Sequence, residues 1–358
     1  MTIVGGGNLA HASIARIGHM NPRFKINLLT RRPEAWSSEI TGYTKASHWE
    51  NQGDLVGKIN KASSNAADVI PGSQIIIVCS PAHTKIELLE QCRQYLDPGC
   101  LVGSIFGQGA FDWQAKHALG GVENIKKNNW TIFSLQYVPF ICKAVNYGKD
   151  INIIGPKKHL YATSYPLENI HYVCNAVNHC YFIPVIPIPG FLNLTLVPSN
   201  QIIHPGRVYH FFKEWDGKST FEASEMPKLY EDLDDGSAQE ITWLDEEIQA
   251  IKAALMKKFG DKLRLPQVVP INDRICAMYE GQVSDKTNLK RIFNTNIGYS
   301  RVPFPMVPKD PKDPTKVVLN LNARFFWEDV PYGLCILKDI GRIMGVATPH
   351  MTKQIVWH

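Results

Sequence analysis

An α/β fold followed by a mainly α-helical domain is what the sequence predicts, and three observations carry it. The chain opens with Thr2-Ile3-Val4-Gly5-Gly6-Gly7-Asn8-Leu9-Ala10, an apolar strand running into a glycine turn and a helix. Short apolar runs then alternate with helical patterns through the first half, as in a parallel sheet. Beyond Pro187-Ile188-Pro189-Gly190 the apolar period becomes helical. The division predicted is therefore a first domain over 1–190 and a second over 191–358.

The opening turn has the chemistry of a pyrophosphate site. Gly5 permits the tight turn after the strand, and Gly7 removes a side chain that would hold phosphates off the backbone. Ala10, small in place of a third glycine, lets the helix beginning near Asn8 lie close to the sheet. The first N–H groups of that helix, at Asn8 and Leu9, and its positive dipole end suit an anion. The first domain therefore reads as a Rossmann dinucleotide-binding domain.

The remaining elements follow in order. Leu9, Ile14 and Ile17 continue the first helix, and Ile26-Asn27-Leu28-Leu29 is the second strand. An NAD site usually ends that strand on Asp or Glu, about 20 residues past the turn, to hold the ribose hydroxyls. Here the chain reads Thr30-Arg31-Arg32-Pro33. No carboxylate stands there to repel a 2′-phosphate, and two guanidiniums could pair with one, which favours NADP. Arginines that stack on adenine or face solvent would equally permit NAD.

Residues 58–69 read as a short strand or turn before Pro71-Gly72, and 75–78 as a strand with Ser80 and Pro81 at its cofactor end. Ile86, Leu88, Leu89, Cys92 and Leu96 recur at helical spacing. Further strands are predicted at 101–106, 130–133, 151–154 and 181–186. Ile241, Leu244, Ile248, Ile251 and Leu255 mark one long amphipathic helix ending at Gly260. Asp245, Glu246 and Glu247 near its start and Lys257 and Lys258 near its end would fit the helix dipole. The proline-rich stretch 302–314 reads as an ordered loop.

Composition narrows the function. A chain of 358 residues with 20% charged side chains holds two domains of ordinary globular type. No run approaches the roughly 20 apolar residues of a membrane span. No basic-then-apolar leader precedes the first strand, so a cytoplasmic protein without a membrane partner is expected. The net charge of +5 is scattered, which gives nucleic-acid binding no support. Cys79, Cys100 and Cys180 lie in apolar runs and read as buried, reduced thiols. Cys174, His179 and Cys180 match no zinc spacing, so no metal is expected.

Three segments carry candidate chemistry. Phe106-Gly107-Gln108-Gly109 follows a strand of the nucleotide domain, which places Gln108 toward nicotinamide or substrate. The others are the stretch from Pro198 to Arg207, with His204 ahead of Pro205, and Asn322 to Gly333, with Arg324 and Asp329. Hydride transfer to C=O or C=N needs a proton donor near neutrality, which suits histidine. A carboxylate on the far ring nitrogen would fix its tautomer, and an arginine fork would hold a carboxylate substrate. A structural Arg–Asp pair tying down a loop is the plainer alternative.

These residues resemble the opine dehydrogenase family, the octopine/nopaline dehydrogenases, particularly those of marine invertebrates. The likeness runs through the Gly5–Ala10 turn, Phe106-Gly107-Gln108, Val138-Pro139-Phe140-Ile141-Cys142-Lys143, Ile203-His204-Pro205, Trp215-Asp216-Gly217, Asn322 to Gly333 and Gly345-Val346-Ala347-Thr348-Pro349. It implies reductive condensation of pyruvate, or another 2-oxo acid, with the amino group of an amino acid by NAD(P)H. By the resemblance His204 is the catalytic histidine and Asp329 its partner. Arg324 would meet cofactor phosphate or a substrate carboxylate, and Gln108, Gln136 and Tyr137 would line the oxo-acid side. Substrate is expected in the cleft between the domains, with NADH as coenzyme because invertebrate members use it. A monomer is expected.

Two departures bear on specificity. The family often carries a Trp-Tyr pair shortly before the position of Tyr279, whereas this chain reads Asp273-Arg274-Ile275-Cys276-Ala277-Met278-Tyr279. Without that aromatic platform, and with Arg274 repelling a cation, a small neutral or acidic donor is expected: alanine, glycine, β-alanine or taurine. Family members also usually continue beyond the position of Trp357-His358, which bears on C-terminal packing rather than on the site. Rival readings are a hydroxy-acid or ketopantoate-type reductase and a non-catalytic nucleotide sensor.

Overall fold

Apolar runs of the first half assemble into one mixed sheet in the computed structural model, which describes residues 1–44 and 53–358. The chain divides into two units, Met1–Thr195 and Leu196–His358. In the first, β1 (Thr2–Val4) leads through the glycine turn to α1 (Asn8–Met20) and β2 (Ile26–Leu29). Then come β3 (Glu39–Tyr43), β4 (Leu55–Ser63), β5 (Ile75–Val78), α2 (Lys85–Arg93), β6 (Leu101–Ser104), α3 (Phe111–Ala118), α4 (Val122–Lys127) and β7 (Thr131–Leu135). The unit closes with β8 (Phe140–Asn146), β9 (Asp150–Pro156), β10 (Leu160–Tyr165), α5 (Ile170–Tyr181), β11 (Val185–Pro187) and the short α6 (Leu192–Thr195).

The strand order is β11-β10-β7-β6-β5-β1-β2-β4-β3-β9-β8. From β7 to β4 every pair is parallel. Counted along the chain, those parallel strands stand in the Rossmann order 3-2-1-4-5-6, with the switch point beside β1. The all-parallel expectation fails outside this centre. β3 runs antiparallel to β4, β8 to β9, and β10 to β7, so hairpin strands extend one end and β10, with β11 parallel to it, the other. β3 and β8 are half-exposed and lack the continuous apolar run of a doubly covered parallel strand, and β10, though largely buried, breaks its run with Thr163 and Ser164, so all three escaped the sequence reading.

Other boundaries also differ. The 58–69 segment ends in a 3-10 turn, Ala66–Asp68, and its first half belongs to a nine-residue strand, β4. It lies so close to α1 that a Cβ on Gly57 would fall 1.9 Å from the Ile14 carbonyl oxygen. Tyr181 ends α5 instead of opening a strand, and its fully buried hydroxyl meets Ser13 Oγ at 3.0 Å. Cys79, Cys100 and Cys180 are buried and unbridged, and burial raises each thiol pKa.

The second unit comprises α7 (Asn200–Phe212), β12 (Phe221–Glu222), α8 (Asp235–Phe259), α9 (Ile271–Met278) and α10 (Leu289–Asn294). It continues through β13 (Met306–Asp310), β14 (Asp313–Leu319), a π-helical segment Phe325–Leu334, α11 (Cys335–Met344) and α12 (Pro349–Trp357). The 302–314 stretch is therefore not a loop: β13 and β14 form a hairpin, with β12 on the far side of β14. Pro308 is tolerated because β13 is an edge strand whose register shifts at that residue. Among the described residues, no helix is long and apolar enough to cross a membrane.

The long helix α8 buries Ile241, Leu244, Ile248, Ile251 and Leu255 and ends at Gly260, as its pattern requires. It begins ten residues ahead of Asp245, so the expected acidic start lies in mid-helix. Asp245 and Glu247 are buried acceptors for other helices. Asp245 accepts from the Ile271 N–H at 2.9 Å, and Glu247 from those of His350 and Met351 at 2.6 and 3.0 Å. Free N–H groups in the first turns of α9 and α12 thus find carboxylates on a neighbouring helix. Burial raises the pKa of both acids.

Candidate active site

Two sets of residues carry the chemistry, one in each unit. In the first, Gly5 has φ +120°, and a Cβ there would lie 2.7 Å from the Cys79 carbonyl oxygen. Only glycine allows β1 to turn this tightly beside β5. Gly7 caps α1, and a Cβ on it would meet no atom within 4 Å. The turn is thus tight at Gly5 and open at Gly7, where a pyrophosphate would meet the first N–H groups of α1. Ala10 is fully buried beneath it and Leu9 partly so. Asn8 is committed elsewhere, its Oδ1 accepting from the Ala144 N–H of β8 at 3.1 Å. Thr30 is buried at the end of β2, Arg31 and Arg32 are exposed, and Ser80 and Pro81 are half-buried after β5.

Gln108 is buried on the turn after β6. That turn is held by Lys85, whose buried ammonium donates to the Phe106 carbonyl at 2.8 Å, as Ser104 Oγ does at 3.2 Å. Phe106 has φ +131°, so these bonds secure a left-handed residue just ahead of Gln108. Gln136 is also buried, and its amide donates to the Tyr137 hydroxyl at 2.9 Å.

In the second unit, His204 sits on α7 with 5% of its surface exposed and Asp329 on the π-helical segment with 6%. His204 Nδ1 lies 2.8 Å from Asp329 Oδ2. On its other side, His204 Nε2 lies 2.6 Å from the hydroxyl of Tyr230. Phe325 stacks on the imidazole at 3.9 Å. π-Helical turns are rare and gather at functional sites. An ionised Asp329 only accepts, so Nδ1 carries a proton and Nε2 of the neutral ring accepts from Tyr230. Burial raises the Tyr230 pKa, which keeps that hydroxyl protonated.

Tyr230 was not legible as a site residue, because Lys228-Leu229-Tyr230-Glu231 matches no motif. What places it is Arg207, one turn beyond His204 and 1% exposed. Arg207 donates to the Leu229 and Asp232 carbonyls at 3.2 and 2.9 Å, gripping the loop on both sides of Tyr230. It also donates to Ser237 Oγ at 2.8 Å and pairs with Asp234.

Asp234 caps α8 through the Ser237 N–H at 2.7 Å. Burial works against its charge, but that bond and the Arg207 guanidinium outweigh it and leave the Asp234 pKa below its ordinary value. A depressed carboxylate contributes stability above its unfolded pKa, about 3.9, and loses it as pH falls through the folded value. Thermal unfolding of the wild type should therefore lose ground to Asp234→Asn below about pH 4. The gap should not depend on pH between 5 and 7.

Arg324 pairs with Glu328, one turn on, rather than with Asp329; its Nε lies 2.6 Å from the carboxylate, and the side chain is largely exposed. Arg274, expected on the substrate side, is 3% exposed and faces Asp245 at 3.7 Å. A guanidinium buried beside a carboxylate does not repel an incoming cation as an exposed one would. Tyr279 and Tyr299 stack edge-on at 4.8 Å, and Tyr299 lies 4.6 Å from Tyr230. Aromatic rings are therefore present in this unit, in contact with one another.

The Rossmann sheet with its open glycine turn, together with a helical unit holding a buried imidazole between carboxylate and phenol, defines an NAD(P)-dependent oxidoreductase. Residues 187–358 match the family model for the α-helical domain of NAD/NADP octopine/nopaline dehydrogenase. The second half of the chain thus matches the helical domain of this opine dehydrogenase family. Tauropine dehydrogenase of Arabella iricolor is 25% identical over 371 residues, covering 100% of this chain and 90% of that protein. Opine dehydrogenase of Haliotis discus hannai is 25% identical over 375 residues, covering 99% and 88%. The structure of octopine dehydrogenase in complex with NADH and agmatine superimposes with a TM-score of 0.83 at 21% identity, covering 99% and 87%.

Proposed function

We propose that this protein condenses pyruvate, or a related 2-oxo acid, reductively with the amino group of a small amino acid, and catalyses the reverse oxidation. The carrying observation is the Asp329–His204–Tyr230 array, its imidazole and carboxylate buried, in the family's helical domain. When bound, the nicotinamide coenzyme supplies the hydride. His204 Nε2 is the atom at which a proton is taken from or returned to the substrate oxygen or nitrogen. Asp329 fixes the ring tautomer by accepting from Nδ1. The Tyr230 hydroxyl is hydrogen-bonded to that same Nε2, so it holds the position that the substrate atom takes over. Gln108, Gln136 and Tyr137 line the oxo-acid side in this reading, and Arg324 meets coenzyme or substrate anion.

For the amine we propose alanine, glycine, β-alanine or taurine. The absence of tryptophan from 273–279 and the mutual stacking of Tyr279 and Tyr299 support this. We further propose a cytoplasmic monomer. The test is oxidation of NADH and of NADPH with pyruvate against these amines and arginine. Oxidation that needs both pyruvate and amine is expected. Turnover on pyruvate alone would replace the reading with a hydroxy-acid reductase, and no turnover on any pair would favour a nucleotide sensor.

A further inference from the structure

Gln201 stands in the first turn of α7, three residues ahead of His204, with 5% of its surface exposed. Residues three apart share a helix face, so the carboxamide and the imidazole lie on the same side of α7. Its Oε1 is shielded from solvent and has no hydrogen-bond partner among the described residues. The main chain repeats the pattern. In a helix the Gln201 carbonyl would accept from the N–H four residues on, but that residue is Pro205, which has none. Gly333, in the π-helical segment, makes room for the side chain: a Cβ there would fall 2.3 Å from Gln201 Cβ and 2.4 Å from its Cγ. Asp329 belongs to the same segment, so α7 meets it at His204–Asp329 and again at Gln201–Gly333.

A buried amide oxygen left unbonded costs stability, and an apolar chain of similar shape in its place is neutral or stabilising. A carboxamide kept under those terms, on the helix face of the imidazole, has a ligand as its partner. Three acceptors gather on this turn of α7: Gln201 Oε1, the Gln201 carbonyl, and Nε2 of the neutral His204 ring. A 2-oxo acid brings only further acceptors to them, whereas an amino group brings N–H donors. We propose that Gln201 binds the amine substrate, its Oε1 accepting from the amino group and holding that nitrogen beside His204 Nε2. The inference rests on the condensation reading above and gives the amine, as distinct from the oxo acid, a residue of its own.

Gln201→Met in the full chain separates a ligand-binding carboxamide from a structural one. Removing an unbonded buried amide should leave Tm at or above that of the wild type. The KM for the amine should rise at least about tenfold, as loss of a hydrogen bond to a charged group implies, while the KM for pyruvate moves less than about threefold. Calorimetric titration of alanine, glycine, β-alanine and taurine into the coenzyme-saturated chain makes the comparison without turnover. The amine that binds the wild type should bind the variant at least about tenfold more weakly. Gln201→Leu should behave alike, and it removes the weak acceptor that a thioether sulfur still offers. A Tm lowered by about 3 °C or more in both variants would mean that the carboxamide is bonded within the fold, and overturns the proposal. So does an amine KM within about twofold of the wild-type value. If the wild type condenses pyruvate with an amine and the variants match it, only the role of Gln201 is wrong. If the wild type neither binds nor turns over any of these amines, the condensation reading falls and takes this role with it.

Discussion

His204→Asn should lower kcat by at least about a hundredfold, the usual contribution of a positioned general acid–base group, while leaving coenzyme affinity close to wild type. Asparagine is the informative replacement because its amide can still donate to Asp329. Alanine would leave that carboxylate, 6% exposed, without its partner and confuse lost chemistry with lost stability. Coenzyme affinity is the control, because the glycine turn belongs to the other unit. Tyr230→Phe should fall between wild type and His204→Asn, since the ring stays against Tyr299 and only the hydroxyl on Nε2 is lost. Single-turnover rates separate these effects from binding. A His204→Asn enzyme with near wild-type kcat would remove the imidazole from the reaction.

The nucleotide half of the molecule was the more legible. Gly5 and Gly7 are read from sequence because backbone geometry at a strand-to-helix turn admits few residues. The parallel strands announce themselves as continuous apolar runs because helices cover both faces. Strands β3, β8 and β10 carry mixed polarity and gave no such signal. In the second half, the periodicity of α8 survived as expected, yet its buried carboxylates misled. Asp245 and Glu247 resemble dipole-compensating residues in sequence, but long-range packing made them caps for α9 and α12. His204 and Asp329 lie 125 residues apart, and no local rule pairs them. The family resemblance brought them together. Tyr230 and Arg207 belong to no motif that signals a role, and only the folded chain shows one gripping the loop of the other.

Arg207→Met should destabilise the second unit by about 3 kcal/mol, because it removes a buried charge's whole set of bonds and strands the buried Leu229 carbonyl and the part-buried Asp232 carbonyl. The Leu229 and Asp232 carbonyls lose their guanidinium donors, and Ser237 loses one partner. Asp234 is partly exposed and water can replace its share, so most of the loss comes from the carbonyls. Methionine keeps the apolar stem against Phe304, over whose ring the guanidinium sits at 4.9 Å, so packing is largely preserved. Tm should drop by roughly 2–4 °C per kcal/mol for a chain of this size class. Activity should fall too, measured below the transition, since the loop no longer presents Tyr230 to His204. Arg207→Lys should recover only part of either loss: a point charge cannot reach two carbonyls and Ser237 as a planar fork does. A Tm within about 1 °C of wild type for Arg207→Met would show that solvent reaches those carbonyls, and that the loop holds Tyr230 in place without the arginine.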